Sequence, residues 1–171
     1  MAPPSTLRDE PLDPAAAHLC IDVQRLFLPG TDWGLEWMPR VLPQVVALCE
    51  PAPEATVFTR FVPARRPGEG RGVWARYWTR WASMTLEATG PEMVGLVPEL
   101  ARFVPPVTRT DRQPRAADLG YRTILVSDAV CSTSDDAHDA MLALFSERYG
   151  QHVEIGLTEE VRDLWPPRRD R

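Results

Sequence analysis

Short apolar runs and longer stretches of helical spacing alternate along the chain. "AHLCIDV" (17–23) is a compact apolar run ending in an acid, the pattern of a buried strand. "LEWMPRVLPQVVALCE" (35–50) places Val41, Val45, Leu48 and Cys49 at helical spacing, with Pro39 and Pro43 in its first turns. "ATVFTRF" (55–61) is β-branched and aromatic, so a second strand is expected. "VPARRPGEGRG" (62–72) is a loop, and "VWARYWTRWASMTLEA" (73–88) is helical. Its Trp74, Tyr77, Trp78 and Trp81 fall at i, i+3, i+4 and i+7, an aromatic stripe suited to a core, a dimer face or a lid.

A short helix and turn follow at 91–103, and "PPVTRTD" (105–111) suits a short strand. "YRTILVSDAV" (121–130) is a clear strand. "STSDDAHDAMLALFSERYG" (132–150) reads as a helix with Ser132 and Asp135 in capping-box spacing and Gly150 closing it. "QHVEIG" (151–156) is a last strand, and 158–165 a last helix with Thr158 as N-cap. The alternation predicts an α/β fold: a three-layer, Rossmann-like parallel sheet with helices on both faces. It forms one domain over 16–165, between a flexible N-terminal arm (1–15) and a disordered tail (166–171).

One unit is missing from that rhythm. Before "TILVSDAV" the pattern calls for a full βα unit of roughly 30 residues. "TRTDRQPRAADLGYRT" (108–123) is far too short and is dominated by Arg, Asp, Gln and Pro. One central βα unit is therefore shortened or absent. The strand at 121–128 is expected to move in beside the strand at 17–23, because an unpaired central strand would bury unsatisfied backbone groups.

Composition adds limits. An apolar fraction of 44% and 171 residues suffice for one core. The net charge of −5 argues against nucleic acid as a main partner. All 19 basic residues are Arg, so no lysine amine is available as acid, base or Schiff-base former. The start of the chain has no apolar signal-like region, no apolar run is long enough to span a membrane, and the odd count of three cysteines suits a reducing compartment. A cytoplasmic protein without a membrane partner is expected.

Ligands in parallel sheets sit at the carboxyl ends of strands, where Asp22, Arg60 and Asp128 fall. Asp22 is a candidate general base, although an acid there also caps turns. Asp135, His138 and Asp139 could be imagined around a metal, but acids in a helix's first turn also offset its dipole. No metal site and no cofactor are expected. Cys20 and Cys49 read as core. Cys131 lies between a strand and a helix start, but no motif places a base beside it.

"AHLCIDVQRLFLPGTDW", "TVFTRF" and "GYRTILVSDAVCSTSDDAHDAMLALFSERYGQHVE" together resemble the isochorismatase-like cysteine hydrolases, the superfamily that includes nicotinamidases. The resemblance spans roughly residues 16–162 and rests on Asp22, Gln24 and Phe27 (D-x-Q-x-x-F) and on the run from Gly120 to His138. It implies hydrolysis of an amide or vinyl-ether bond in a small molecule, with Asp, Lys and Cys as the triad. Asp22 matches the base. "PPVTRTDR" matches the stretch before the family Lys, with Arg112 at the Lys position. The nucleophile has no counterpart, because the missing βα unit is the one that carries it. Gln24, Phe27 and Trp33 are expected to line the substrate. The chain is thus expected to be a catalytically impaired hydrolase, a pseudoenzyme without cysteine-dependent activity. The alternative is a non-catalytic small-molecule-binding or dimerising relative, or a truncated family member. A homo-oligomer fits the family habit and the tryptophan stripe.

Overall fold

The computed structural model describes residues 4–104 and 120–165. The segment expected as a strand at 105–111, residues 108–119 of the stretch expected to be a shortened join, Arg112 and the tail at 166–171 lie outside the described residues. Strand β1 (His18–Cys20) pairs in parallel with β2 (Thr56–Phe58), and β3 (Thr123–Val126) pairs in parallel with β4 (Val153–Gly156). Helices α1 (Met38–Cys49), α2 (Val73–Arg80), α3 (Leu86–Thr89), α4 (Pro98–Ala101), α5 (Asp135–Arg148) and α6 (Thr158–Leu164) complete the chain. The expected α/β class holds, with small parallel strand pairs and helices packed against them.

Helix α1 is the keystone. Its buried Met38, Leu42, Val45 and Cys49 pack with Cys20, Phe58, Val97 and Leu100, while Leu48 joins Val161 and Trp165 in a second cluster. Ala129, just after β3, touches both clusters. Pro39 sits in the first turn of α1, where its missing N–H has no partner to lose. Pro43 lies inside the helix, where it removes the N–H that would bond to Pro39 O, and the buried apolar face of α1 holds the helix in spite of that loss.

The expectation that the strand at 121–128 pairs with the strand at 17–23 is overturned. β3 pairs with β4 alone among the described residues, and the two strand pairs form separate sheets. They are joined by side-chain packing on α1 instead of a continuous ladder. The physical reason lies in burial. All four residues of β3 are only half-buried, so its free edge is not sealed from water and the expected penalty does not arise.

Other boundaries differ for local reasons. The helix expected over 73–88 breaks at Trp81, whose φ of −100° and ψ of 42° leave the helical region, and resumes as α3. Ser134, and not Ser132, caps α5: its Oγ accepts the Ala137 N–H at 3.2 Å. Thr158 is the first residue of α6 and not its cap; its N–H and hydroxyl both donate to Asp128 Oδ1 at 2.9 Å. Asp128 therefore serves α6, and Glu160 reaches back to accept the Leu157 N–H at 2.7 Å.

Residues 5–12 of the arm lie hydrogen-bonded along β4 and α6. Thr6 N–H donates to Ile155 O at 2.8 Å, Ile155 N–H donates to Thr6 Oγ1 at 2.9 Å, and Leu12 N–H donates to Leu164 O at 2.7 Å. Gly156 permits this approach, since a Cβ there would lie 3.0 Å from Leu7 Cδ2. Glu154 anchors the arm by pairing with Arg8 at 2.7 Å and Arg122 at 2.9 Å. Burial alone would push the Glu154 carboxyl up, but hydrogen bonds from Arg122 and from the backbone and side chain of Arg8 outweigh it and hold the carboxyl at about 2. A depressed carboxyl contributes stability that is present above its ordinary value of 4.5 and is lost as pH falls through about 2. Urea midpoints measured from neutral pH down to this window should therefore fall less steeply in Glu154→Gln than in the parent. Identical acid profiles would contradict the assignment.

Candidate functional site

The parallel pair β1–β2 delivers both carboxyl ends to one edge, the usual place for a ligand in such sheets. Beyond the ladder, Thr59 N–H still donates to Cys20 O at 3.0 Å. Asp22 then turns out of the strand with φ of 56°, the one described non-glycine residue in the left-handed region. Asp tolerates that region better than most residues, yet the conformation still costs about 1 kcal/mol and persists only where surrounding contacts fix it. Those contacts come from Thr59. Its Oγ1 accepts the Asp22 N–H at 3.2 Å and donates to Asp22 Oδ1 at 2.8 Å. One carboxylate oxygen is thus steadied, and among the described residues Oδ2 accepts no hydrogen bond. Asp22 is half-buried, so this oxygen can meet a ligand. Sequence reasoning missed Thr59; the signal was its place just past β2, across from the end of β1.

Gln24, expected to line the substrate, is 0% exposed, and its amide is consumed by backbone. Nε2 donates to Phe61 O at 2.9 Å and to Val94 O at 2.8 Å, and Oε1 accepts the Phe61 N–H at 2.7 Å. The side chain ties the end of β1 to the segment after β2 and to the segment before α4. The N–H of Arg25 donates to Gly95 O and that of Val97 donates to Val23 O, completing this junction.

The Gln24 clamp presents an aromatic wall. Trp33 stacks on Phe27 (6.2 Å between centroids, 15° between planes) and meets Phe61 and Trp81 edge-on at 5.7 and 5.6 Å. Trp78 and Tyr77 close around the same indole. The structure thus brings the expected lining residues Phe27 and Trp33 together with the tryptophan stripe, with Trp33 at the hub. Trp78 is buried, Trp81 is half-buried, and Trp74 faces solvent, so the stripe divides between wall and surface. A half-buried carboxylate with one oxygen held by Thr59 can accept a proton from water or a hydroxyl, and the aromatic cluster around Trp33, tied to the same end of β1–β2 through Gln24 and Phe61, can receive an apolar ring. A shallow depression lined by Arg25, Leu28, Pro29 and Met93 lies nearby but does not include Asp22.

No thiol completes this arrangement. Cys20 and Cys49 are 2% and 0% exposed. They nevertheless form a cluster that the sequence did not reveal: the Cys49 sulfur lies 3.7 Å from His18 Nδ1, and Thr56 Oγ1 lies 3.4 Å from the same nitrogen. A hydrogen bond from Cys20 lowers the Cys49 thiol against the opposing effect of burial, helped by His18 and Thr56. That same bond, burial and the nearby charges of Cys49 and Asp22 raise Cys20. The alternation of His18 and Cys20 on one strand face was the available signal. Cys131 is half-buried against the core, and burial pushes its thiol up. His138 is buried and stacks on Trp37 at 4.3 Å, while Asp135 accepts the Trp37 indole N–H. Among the described residues no group of three His, Cys, Asp or Glu side chains is arranged to hold a metal, and no helix is long and apolar enough to cross a membrane.

No protein-family model matches the chain, and no curated protein matches it. Its structure is similar to that of a cysteine hydrolase from Pseudomonas syringae pv. phaseolicola 1448A, with a TM-score of 0.68 and 14% identity. The match covers 96% of this chain and 98% of that one. At that identity the likeness is one of fold: this chain shares the α/β fold of that protein.

Proposed function

We propose that this chain is an isochorismatase-like hydrolase relative that binds a small molecule at the carboxyl ends of β1 and β2 and lacks cysteine-dependent amide hydrolysis. The observation that carries the reading is the separation of thiol chemistry from the site. The two thiols with a hydrogen-bonded partner are sealed in the core, and the half-buried Cys131 is held in its protonated form by burial. A nucleophilic mechanism needs an accessible thiolate next to its base and oxyanion donors at its carbonyl. The sequence offers no counterpart to the βα unit that bears the family nucleophile, and at 112, where the resemblance expects Lys, it has an Arg, which stays protonated and cannot relay a proton.

Vinyl-ether hydrolysis, which the family resemblance does not tie to the thiol, is the second reading. It is favoured by Asp22, whose fixed geometry and free oxygen suit a general base. Activity is assumed to reside in the cytoplasm and in a homo-oligomer, both as part of this proposal.

The test is an assay of the purified protein against nicotinamide, simple amides and isochorismate, before and after thiol alkylation. Amide turnover should be absent, and any isochorismate turnover should survive alkylation unchanged. Amide hydrolysis abolished by alkylation of Cys131, with circular dichroism unaltered, would overturn the reading.

A further inference from the structure

Charge is distributed very unevenly in this chain. Residues 60–80 hold six arginines and one glutamate, a net of +5 in a chain whose total is −5, so the remainder carries −10. Arg60, Arg65, Arg66, Arg71, Arg76 and Arg80 are all exposed. The single acid is engaged by the loop backbone: Glu69 Oε2 accepts the backbone N–H groups of Arg65 and Arg66 at 2.9 and 3.2 Å. Among the described residues none of the six guanidinium groups takes part in an ion pair.

Loop and helix form one surface. A Cβ at Gly70 would lie 3.0 Å from Trp74 Cβ, and one at Gly68 would lie 3.6 Å from Thr79 Oγ1, so the arginine-rich loop folds back along α2. On α2, Val73, Trp74 and Tyr77 are 64%, 57% and 37% exposed. Helical periodicity sets these three in one seam and places Arg76 and Arg80 on the adjoining side. Trp78, on the far side of that seam, is buried in the aromatic wall.

We propose that this face docks on an anionic phospholipid surface. Guanidinium groups match phosphate geometry, and Trp and Tyr place an apolar body and a polar tip at a headgroup boundary. A helix that is polar on average but strongly one-sided is the kind that lies in that boundary. The −10 carried elsewhere repels an anionic surface and so orients this face toward it. A single-stranded nucleic acid fits less well. Trp74 and Tyr77 meet at 75° with centroids 5.7 Å apart, so they do not offer parallel platforms to successive bases, and Val73 offers none. The contact is peripheral. The expectation of no membrane partner came from the lack of an apolar run long enough to span a bilayer, which does not bear on a peripheral contact.

The full chain should float with vesicles of equal parts phosphatidylcholine and phosphatidylserine, and not with phosphatidylcholine alone. High salt should release it. The combined variant R65Q/R66Q/R71Q/R76Q should lose about a hundredfold in vesicle affinity. V73S/W74S should lose about tenfold with its salt dependence intact. All six side chains are exposed, and unchanged circular dichroism certifies each fold. Failure to float with the mixed vesicles, or retention of parent affinity by either variant, overturns the proposal. So does binding of a single-stranded oligonucleotide under conditions where the mixed vesicles bind nothing.

Discussion

Replacing Gln24 with Ala should destabilise the protein by about 3–5 kcal/mol, since each buried group left without a partner costs roughly 1–3 kcal/mol. Three backbone groups lose their partners at once: the carbonyls of Phe61 and Val94 and the N–H of Phe61. Water cannot replace the amide without opening the junction, because the side chain is fully buried. Gln24→Glu is the sharper probe. It keeps the acceptor for Phe61 N–H but sets a carboxylate oxygen against two carbonyl oxygens, so it should be at least as damaging as Ala at neutral pH and milder in acid, where a protonated Glu can donate once. Urea midpoints for the two variants across pH test this. A Gln24→Ala protein within about 1 kcal/mol of the parent would show that the clamp is not needed. Because Phe61 belongs to the aromatic wall, the near-ultraviolet circular dichroism of the indoles should change along with the midpoint.

The contrast between Gln24 and Asp22 shows what a linear pattern can carry. Both belong to D-x-Q-x-x-F, and the motif marks both as special without dividing their roles. Periodicity placed the end of β1 at a ligand edge, which put Asp22 in its place. It could not say that the amide two residues later would turn inward, because that depends on which carbonyls come near: Val94 O is seventy residues away in sequence. The same limit applies to Thr59, which owes its role to strand register, and to the sulfur of Cys49, which meets His18 only when α1 packs on β1. The tryptophan stripe was visible as a period. Its hub was not, since Trp33 comes from a loop with no period of its own.

The sheet illustrates a different failure. Reasoning from unsatisfied backbone groups assumed that β3 would be sealed in a core, as central strands of a Rossmann-like sheet are. Among the described residues β3 pairs on one side alone and all four of its residues are only half-buried, so the argument loses its premise. Side-chain packing of Ala129 and Leu48 around α1 then holds the halves together without a ladder. Element type followed from local pattern, whereas pairing depended on burial that no window of sequence reports.

The variant Asp22→Asn separates the site from the fold. Its Oδ1 can still accept from Thr59, and Asn tolerates a left-handed φ as readily as Asp, so stability should stay within about 1 kcal/mol of the parent. The charge and the proton acceptor are gone. Any turnover that relies on Asp22 as base should drop by about 10²–10⁴-fold, the usual contribution of general acid–base catalysis. Thr59→Val should act through orientation: it removes both contacts to Asp22 while keeping shape, so turnover should fall by less than in Asp22→Asn. Replacing Cys20, Cys49 and Cys131 together with Ser should leave turnover per folded molecule intact. Unimpaired turnover in Asp22→Asn, beside loss in the cysteine-free chain, would invert these roles and place the chemistry on a thiol.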